Sequence, residues 1–205
     1  MRLYDYLCVR RGISRHIVDS PLREEKIYED RRGNIVFVAY DDKNKPRFAC
    51  VRGTYDKKIF RMDCVGSDKR YGFNTAASAP SDRLYIFESA IDLMSQGSLE
   101  NAATGNIEAW KQHSRLSLAG TSDTALSFFL NQHEEVKELI FCLDNDEPGR
   151  EASGIMTKKY ADMGYLTQIE LPSAKDYNED LAAQSAESLS LSRIKANRYE
   201  LNRQH

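Results

Sequence analysis

The stretch LIFCLDNDEPGREA, residues 139–152, decides the reading of the chain. Leu139 to Leu143 is an unbroken apolar run, too short for a helix and suited to a strand buried on both faces. The run stops at Asp144-Asn145-Asp146. Pro148 suits a first helical turn. Ala152, Ile155, Met156, Tyr160 and Met163 then keep helical spacing, and Gly164 suits a C-terminal cap. A buried strand, an acidic turn and a helix make one unit of a parallel α/β sheet.

The flanking sequence repeats that unit. LYIF (84–87) reads as a short buried strand, followed by Ser89 with Asp92 three residues on, a cap arrangement at a helix start. Ile91, Leu93 and Met94 continue that helix, and a short helix is expected around Ile107–Trp110. LSLA (116–119) reads as a strand ending at Gly120, and Ser122 suits the cap of a helix carrying Ala125, Leu126, Phe129 and Leu130. Tyr165–Leu171 is the last expected strand and leads into a loop, Pro172–Asp180. Alternating strands and helices predict a parallel four-stranded sheet with helices on its faces.

Upstream the pattern differs. The stretch to Ser20 reads as helical, broken at Gly12 and ended by Ser20-Pro21. The β-branched and aromatic run from Asn34 to Asp41, the turn 41–46, and the run Arg47–Gly53 predict an antiparallel hairpin, with a third strand over Lys58–Val65. The small, polar residues 74–82 read as a linker. The expected division is a small α+β subdomain over 1–75, an α/β domain over 83–182, and a C-terminal helix and tail over 183–205.

Composition bounds the function classes. Of 205 residues, 41% are hydrophobic and 29% charged, as in a globular protein. No run approaches the ~20 apolar residues of a membrane helix. The N-terminal MRLYDYLCVRR lacks the apolar core of an export signal. Cys8, Cys50, Cys64 and Cys142 form no CxxC pair and fit packing roles in a reducing cytoplasm. Charge is uneven: residues 1–72 hold 17 Lys+Arg against 11 Asp+Glu, and the remainder 12 against 20. A basic part beside an acidic part suits a phosphate-binding surface next to a carboxylate metal site, and equally suits plain solvated charge.

Ligands of open parallel sheets sit beyond the carboxyl ends of the strands. Acids recur at that edge: Glu88 after LYIF, Asp144 and Asp146 after LIFCL, Asp176 and Asp180 after the last strand. Such hard oxygen ligands suit Mg²⁺ or Mn²⁺. An Asp-x-Asp at a helix start also serves simply as a cap, and Asp92 also reads as the partner of Ser89.

Four of these segments, in order over residues 83–182, resemble the Toprim family. Glu88 with Asp92 resembles its first motif, and Leu118-Ala119-Gly120-Thr121 its second strand and turn. Residues 139–152 resemble the Asp-x-Asp motif of primases, including Gly149 and Arg150. Lys175-Asp176-Tyr177-Asn178-Glu179-Asp180 resembles the segment after the fourth strand. Ser89 departs from the glycine many members carry, which leaves the backbone approach at that turn open. Upstream, Arg11-Gly12-Ile13, Tyr28-Glu29-Asp30, Gly33–Val38, Arg52-Gly53 and Gly66–Phe73 resemble an uncharacterised domain that precedes Toprim in mobile-element proteins, and also a shortened N-terminal subdomain of the bacterial primase core.

The resemblance implies a primase-like protein acting on single-stranded DNA and nucleoside triphosphates, with helicases or other replication proteins as possible partners. Glu88, Asp144 and Asp146 would be catalytic and hold Mg²⁺ or Mn²⁺, with Asp92, Asp176 and Asp180 adding to the metal site. Gly120, Gly149, Arg150, Lys175 and Asn178 would support it. Arg52, Lys69 and Arg70 would contact nucleic acid, with Tyr71 and Phe73 available to stack bases. The tyrosine-bearing domain of topoisomerases and the four-cysteine finger of recombination mediators are not seen in this sequence. A Toprim nuclease and a non-catalytic nucleic-acid-binding accessory module remain alternative readings.

Overall fold

A computed structural model describes residues 2–55, 60–187 and 190. The chain opens with α1 (Arg2–Tyr4), which continues as a wider π-type turn over Asp5–Arg10, and α2 (Arg15–Arg23) follows. Gly12, at φ 71°, makes the break between them. Pro21 does not end α2, contrary to the sequence expectation, but lies inside its last turn. There its carbonyl still accepts the Lys26 N–H at 2.8 Å.

Four strands then form an antiparallel sheet in sequential order: β1 (Ile27–Glu29), β2 (Ile35–Tyr40), β3 (Pro46–Arg52) and β4 (Arg61–Asp63). The turn between β2 and β3 is closed by Asp41, whose Oδ1 accepts the N–H groups of Lys43 and Lys45 at 3.0 and 2.9 Å. Of the third strand expected over Lys58–Val65, residues 58 and 59 lie outside the described residues, and the described part is strand only at β4.

The second sheet has order β5-β7-β6-β8-β9, with β5 (Asn74–Thr75), β6 (Arg83–Phe87), β7 (Ser114–Ser117), β8 (Glu138–Cys142) and β9 (Leu166–Ile169). β6 to β9 are parallel, as predicted. β5 adds a fifth, antiparallel edge strand inside the stretch read as a linker. Its small polar residues carry no strand signal; it forms because the exposed edge of β7 takes up the backbone that passes it. β7 starts at Ser114, and Leu118 and Ala119 belong to the turn, with Ala119 at φ 56°.

Alternation in β8 shows why the sheet is buried on both faces. Ile140 and Cys142 join Leu3, Leu7, Ile17, Leu93 and Trp110 on the face covered by α3 (Ala90–Thr104) and the N-terminal helices. Leu139 and Phe141 join Leu126, Met156 and Tyr160 on the face covered by α4 (Thr124–Leu130) and α5 (Glu147–Asp162). Register aligns Phe87 with both Ser117 and Cys142. Three chains therefore leave the sheet at one level, which sets Glu88 beside Leu118 and Leu143-Asp144. A last helix runs over 177–187.

Among the described residues no helix is long and apolar enough to cross a membrane.

Candidate active site

Glu88 is the first residue past β6, and the Asp144 backbone beside it favours its charged form. The first and third acidic segments thus lie next to each other. Asp92 lies in the first turn of α3 and is only 6% exposed. It accepts Ser89 Oγ–H at 2.5 Å. Ser89 Oγ in turn accepts the Asp92 N–H at 3.3 Å, so the cap read from the sequence forms and also seats Asp92 at the site. Asp146 caps α5 by accepting the Gly149 N–H at 3.0 Å, and Lys175 Nζ stands 3.8 Å from its second oxygen.

Crowding governs the electrostatics. Asp144 is pushed up to about 8, first by burial and then by Asp92, Glu88, Asp176 and Asp146. Asp92 is pushed up to about 6, by burial above all and then by Asp176 and Glu88, against the opposing Ser89 bond. Glu88 is raised by burial and by Asp146, with Arg61 and Lys175 pulling the other way. Five carboxyl groups therefore repel one another at one sheet edge. A cation among them would relieve that repulsion, and their oxygens are the hard donors Mg²⁺ and Mn²⁺ take. Among the described residues no three His, Cys, Asp or Glu side chains already close around one point. The donor set fits such an ion.

The supporting residues are placed as follows. Gly149 packs onto the backbone of Asp144: a Cβ there would meet the Asp144 carbonyl oxygen at 2.1 Å. Gly120, at φ 148°, donates its N–H to the Glu88 carbonyl at 3.1 Å and so fixes the second turn against the first. Arg150 donates to the Asn145 carbonyl at 2.8 Å, and the Lys175 carbonyl accepts the Asn145 N–H at 2.7 Å. Asp180 stands apart from the cluster. Its oxygens accept the Ser173 and Ala174 N–H groups at 2.8 and 2.7 Å, which shapes the loop before the last helix.

A cavity of about 100 Å³ opens between this edge and the antiparallel sheet. Asp92, Asp176, Asn178 and Ser89 line it together with Arg11, Arg52 and Arg61. Phe37, Phe48 and Phe73 also line it; Phe73 is buried core. Arg52 donates to the Tyr6 phenol oxygen at 3.0 Å, and Arg11 donates to the same oxygen from Nε and Nη2 at 3.2 and 2.9 Å. Arg11 also donates to Asn178 Oδ1 at 3.0 Å. Two guanidinium groups of like charge are thus held side by side on a neutral acceptor. Of the basic residues expected to contact nucleic acid, only Arg52 lines this cavity. Lys69 pairs with Asp63 at 3.0 Å, and Arg70 with Asp68 at 2.7 Å. Sequence reasoning missed Tyr6, Arg11 and Arg61, which carry no local signal for this role.

A parallel sheet with glutamate and aspartates at its carboxyl edge, faced by a small antiparallel unit, is the Toprim fold of primase catalytic cores. Residues 85–181 match the family model described as Toprim-like, and residues 5–79 match the one described as a protein of unknown function (DUF3991). The chain carries a Toprim-like domain preceded by a DUF3991 domain. It is similar in fold to the primase fragment of the bacteriophage T7 primase-helicase protein (TM-score 0.56, 18% identity, covering 89% of this chain and 72% of that one). The Aquifex aeolicus primase, in its zinc-binding and RNA polymerase domains, has TM-score 0.55 at 13% identity, covering 89% of this chain and 53% of that one. A DnaG primase catalytic domain bound to single-stranded DNA has TM-score 0.52 at 15% identity, covering 93% of this chain and 62% of that one. A "65 kDa protein" of Zymomonas mobilis subsp. mobilis is 36% identical over 88 residues, which is 42% of this chain and 14% of that protein. The match thus spans only a small part of that curated relative.

Proposed function

We propose that this chain is a primase-like protein that joins nucleotides on a single-stranded DNA template with the help of a divalent cation. One observation carries the reading: Asp92 and Asp176, two of the carboxylates crowded around Asp144, line one cavity with Arg11, Arg52 and Arg61. Glu88, Asp144 and Asp146 would hold Mg²⁺ or Mn²⁺, which when bound supplies neutralisation of phosphate charge and orientation of a 3′-hydroxyl. Asp92 and Asp176 add negative charge beside these three. Without a cation Asp144 keeps its proton at neutral pH and gives it up on binding one. Arg11 and Arg52 bind phosphate oxygens of template or triphosphate, fixed in place by Tyr6. The phenylalanines that line the cavity lower the local dielectric, which strengthens the attraction of these charges for phosphate.

The test is incubation with single-stranded template, Mg²⁺ and labelled triphosphates. New oligomers that disappear in an Asp144→Asn variant support the reading. A shortened template would replace it with a Toprim nuclease, and retention of the template without chemistry would replace it with a binding module.

A further inference from the structure

A second and larger cavity, of about 370 Å³, lies between the β2–β3 turn and α4. Its walls are aromatic. Tyr71 and Phe128 meet with ring centroids 4.9 Å apart at 56°, and Phe129 stacks on His133 at 4.0 Å and 21°. All four rings are half-buried, so part of each stays open to an incoming flat group. The polar lining includes the side-chain amides Asn74 and Gln132 and the exposed carboxylate Asp42. Asp42 repels phosphate and accepts N–H donors, as the amide oxygens do. A flat ring with a hydrogen-bonding edge matches this chemistry; a phosphate does not. The Arg70 guanidinium lies 5.3 Å from the Phe128 ring centre and is held there by its pair with Asp68. Tyr71 also packs against the cluster of Ala39, Phe48 and Cys50, and Phe48 and Cys50 line the carboxylate cavity. That cluster links the two cavities.

We propose that this second cavity is a nucleobase pocket, which takes one unpaired base of a single strand whose backbone continues into the carboxylate cavity. The inference rests on the single-strand reading under Proposed function. Stacking on aromatic side chains tolerates any base, so the pocket would position the strand without reading its sequence.

The experiment is photo-crosslinking of the full chain to single-stranded oligonucleotides carrying 5-iodouracil at successive positions, with tryptic mapping. Adducts are expected on residues 71–83 or 116–137, the tryptic peptides that hold Tyr71, Phe128, Phe129 and His133. Phe128→Leu keeps the apolar volume and should remove these adducts, weaken binding about five- to tenfold, and leave the salt dependence unchanged. His133→Ala, on the same wall, should also weaken binding. An oligonucleotide that binds without adducts in these peptides, or binding untouched by both variants, overturns the pocket and leaves the single-strand reading standing. An oligonucleotide that does not bind at all overturns both.

Discussion

Gly149 lies so close to Asp144 that a Cβ on it would fall 2.1 Å from the Asp144 carbonyl oxygen and 3.1 Å from its nitrogen. The first turn of α5 is therefore laid directly on the backbone that presents the central carboxylate. Gly149→Ala must push the two apart. It should cost about 1–3 kcal/mol in thermal stability, as overpacking does, and weaken Mn²⁺ binding at the same time. A variant with wild-type melting temperature and wild-type Mn²⁺ affinity would show that this close approach is not required.

The crowding predicts an unusual pH dependence. Asp144 ordinarily titrates at 3.8 and here does so at about 8, so folding favours its protonated form. That contribution is complete below about pH 4 and is lost as pH rises through about 8. In chelator, this group should make the melting temperature fall between about pH 4 and 8, and Asp144→Asn should flatten the fall. Excess Mg²⁺ should restore the loss in the wild type only. Scanning fluorimetry across that range decides it, and identical profiles for wild type and variant would refute the shift.

Arg115 is fully buried on the α3 side of the sheet, where it donates to Glu100, Gln96 and the Trp110 carbonyl. Burial lowers its pKa while Glu100 opposes that. Glu100→Ala leaves the guanidinium without its counter-charge and should cost about 3 kcal/mol or more. Arg115→Met in that background should recover most of the loss. Urea denaturation of Glu100→Ala, Arg115→Met and the double mutant tests this, and an additive double mutant would contradict it.

Tyr6 is the shared acceptor of Arg11 and Arg52. Tyr6→Phe should leave the core intact yet weaken single-stranded DNA binding by about 1–2 kcal/mol, because both guanidinium groups lose their anchor. Arg11→Ala with Arg52→Ala should reduce the salt slope by roughly 1–2, at about 0.7 per phosphate. Lys69→Ala with Arg70→Ala should change it less, since each cation already has an aspartate partner. Fluorescence anisotropy over a salt series separates the two pairs, and the reverse ranking would move the phosphate path away from the cavity.

What the sequence made legible was local. Residues 139–152 announce strand, acidic turn and helix within one stretch, and the Ser89–Asp92 cap and the parallel order of β6 to β9 follow from the same patterns. What it concealed depends on contacts between distant segments. Asp180 sits in an acidic motif, yet its oxygens are taken by loop N–H groups. Arg11 is an ordinary charge beside a helix break until folding brings Tyr6, Arg52 and Asn178 to it. β5 is two residues of unremarkable composition that exist as a strand only because β7 has an open edge.

The central claim is that the carboxylates beyond β6 and β8 hold a divalent cation. Titration calorimetry with Mn²⁺, on the wild type and on Asp144→Asn/Asp146→Asn, tests it most directly. The account predicts binding to the wild type with release of a proton near neutral pH. It also predicts at least about tenfold weaker binding in the variant, whose circular dichroism spectrum stays that of the folded chain. Equal affinity in the two folded proteins, or no binding to the wild type even with nucleoside triphosphate present, would contradict it.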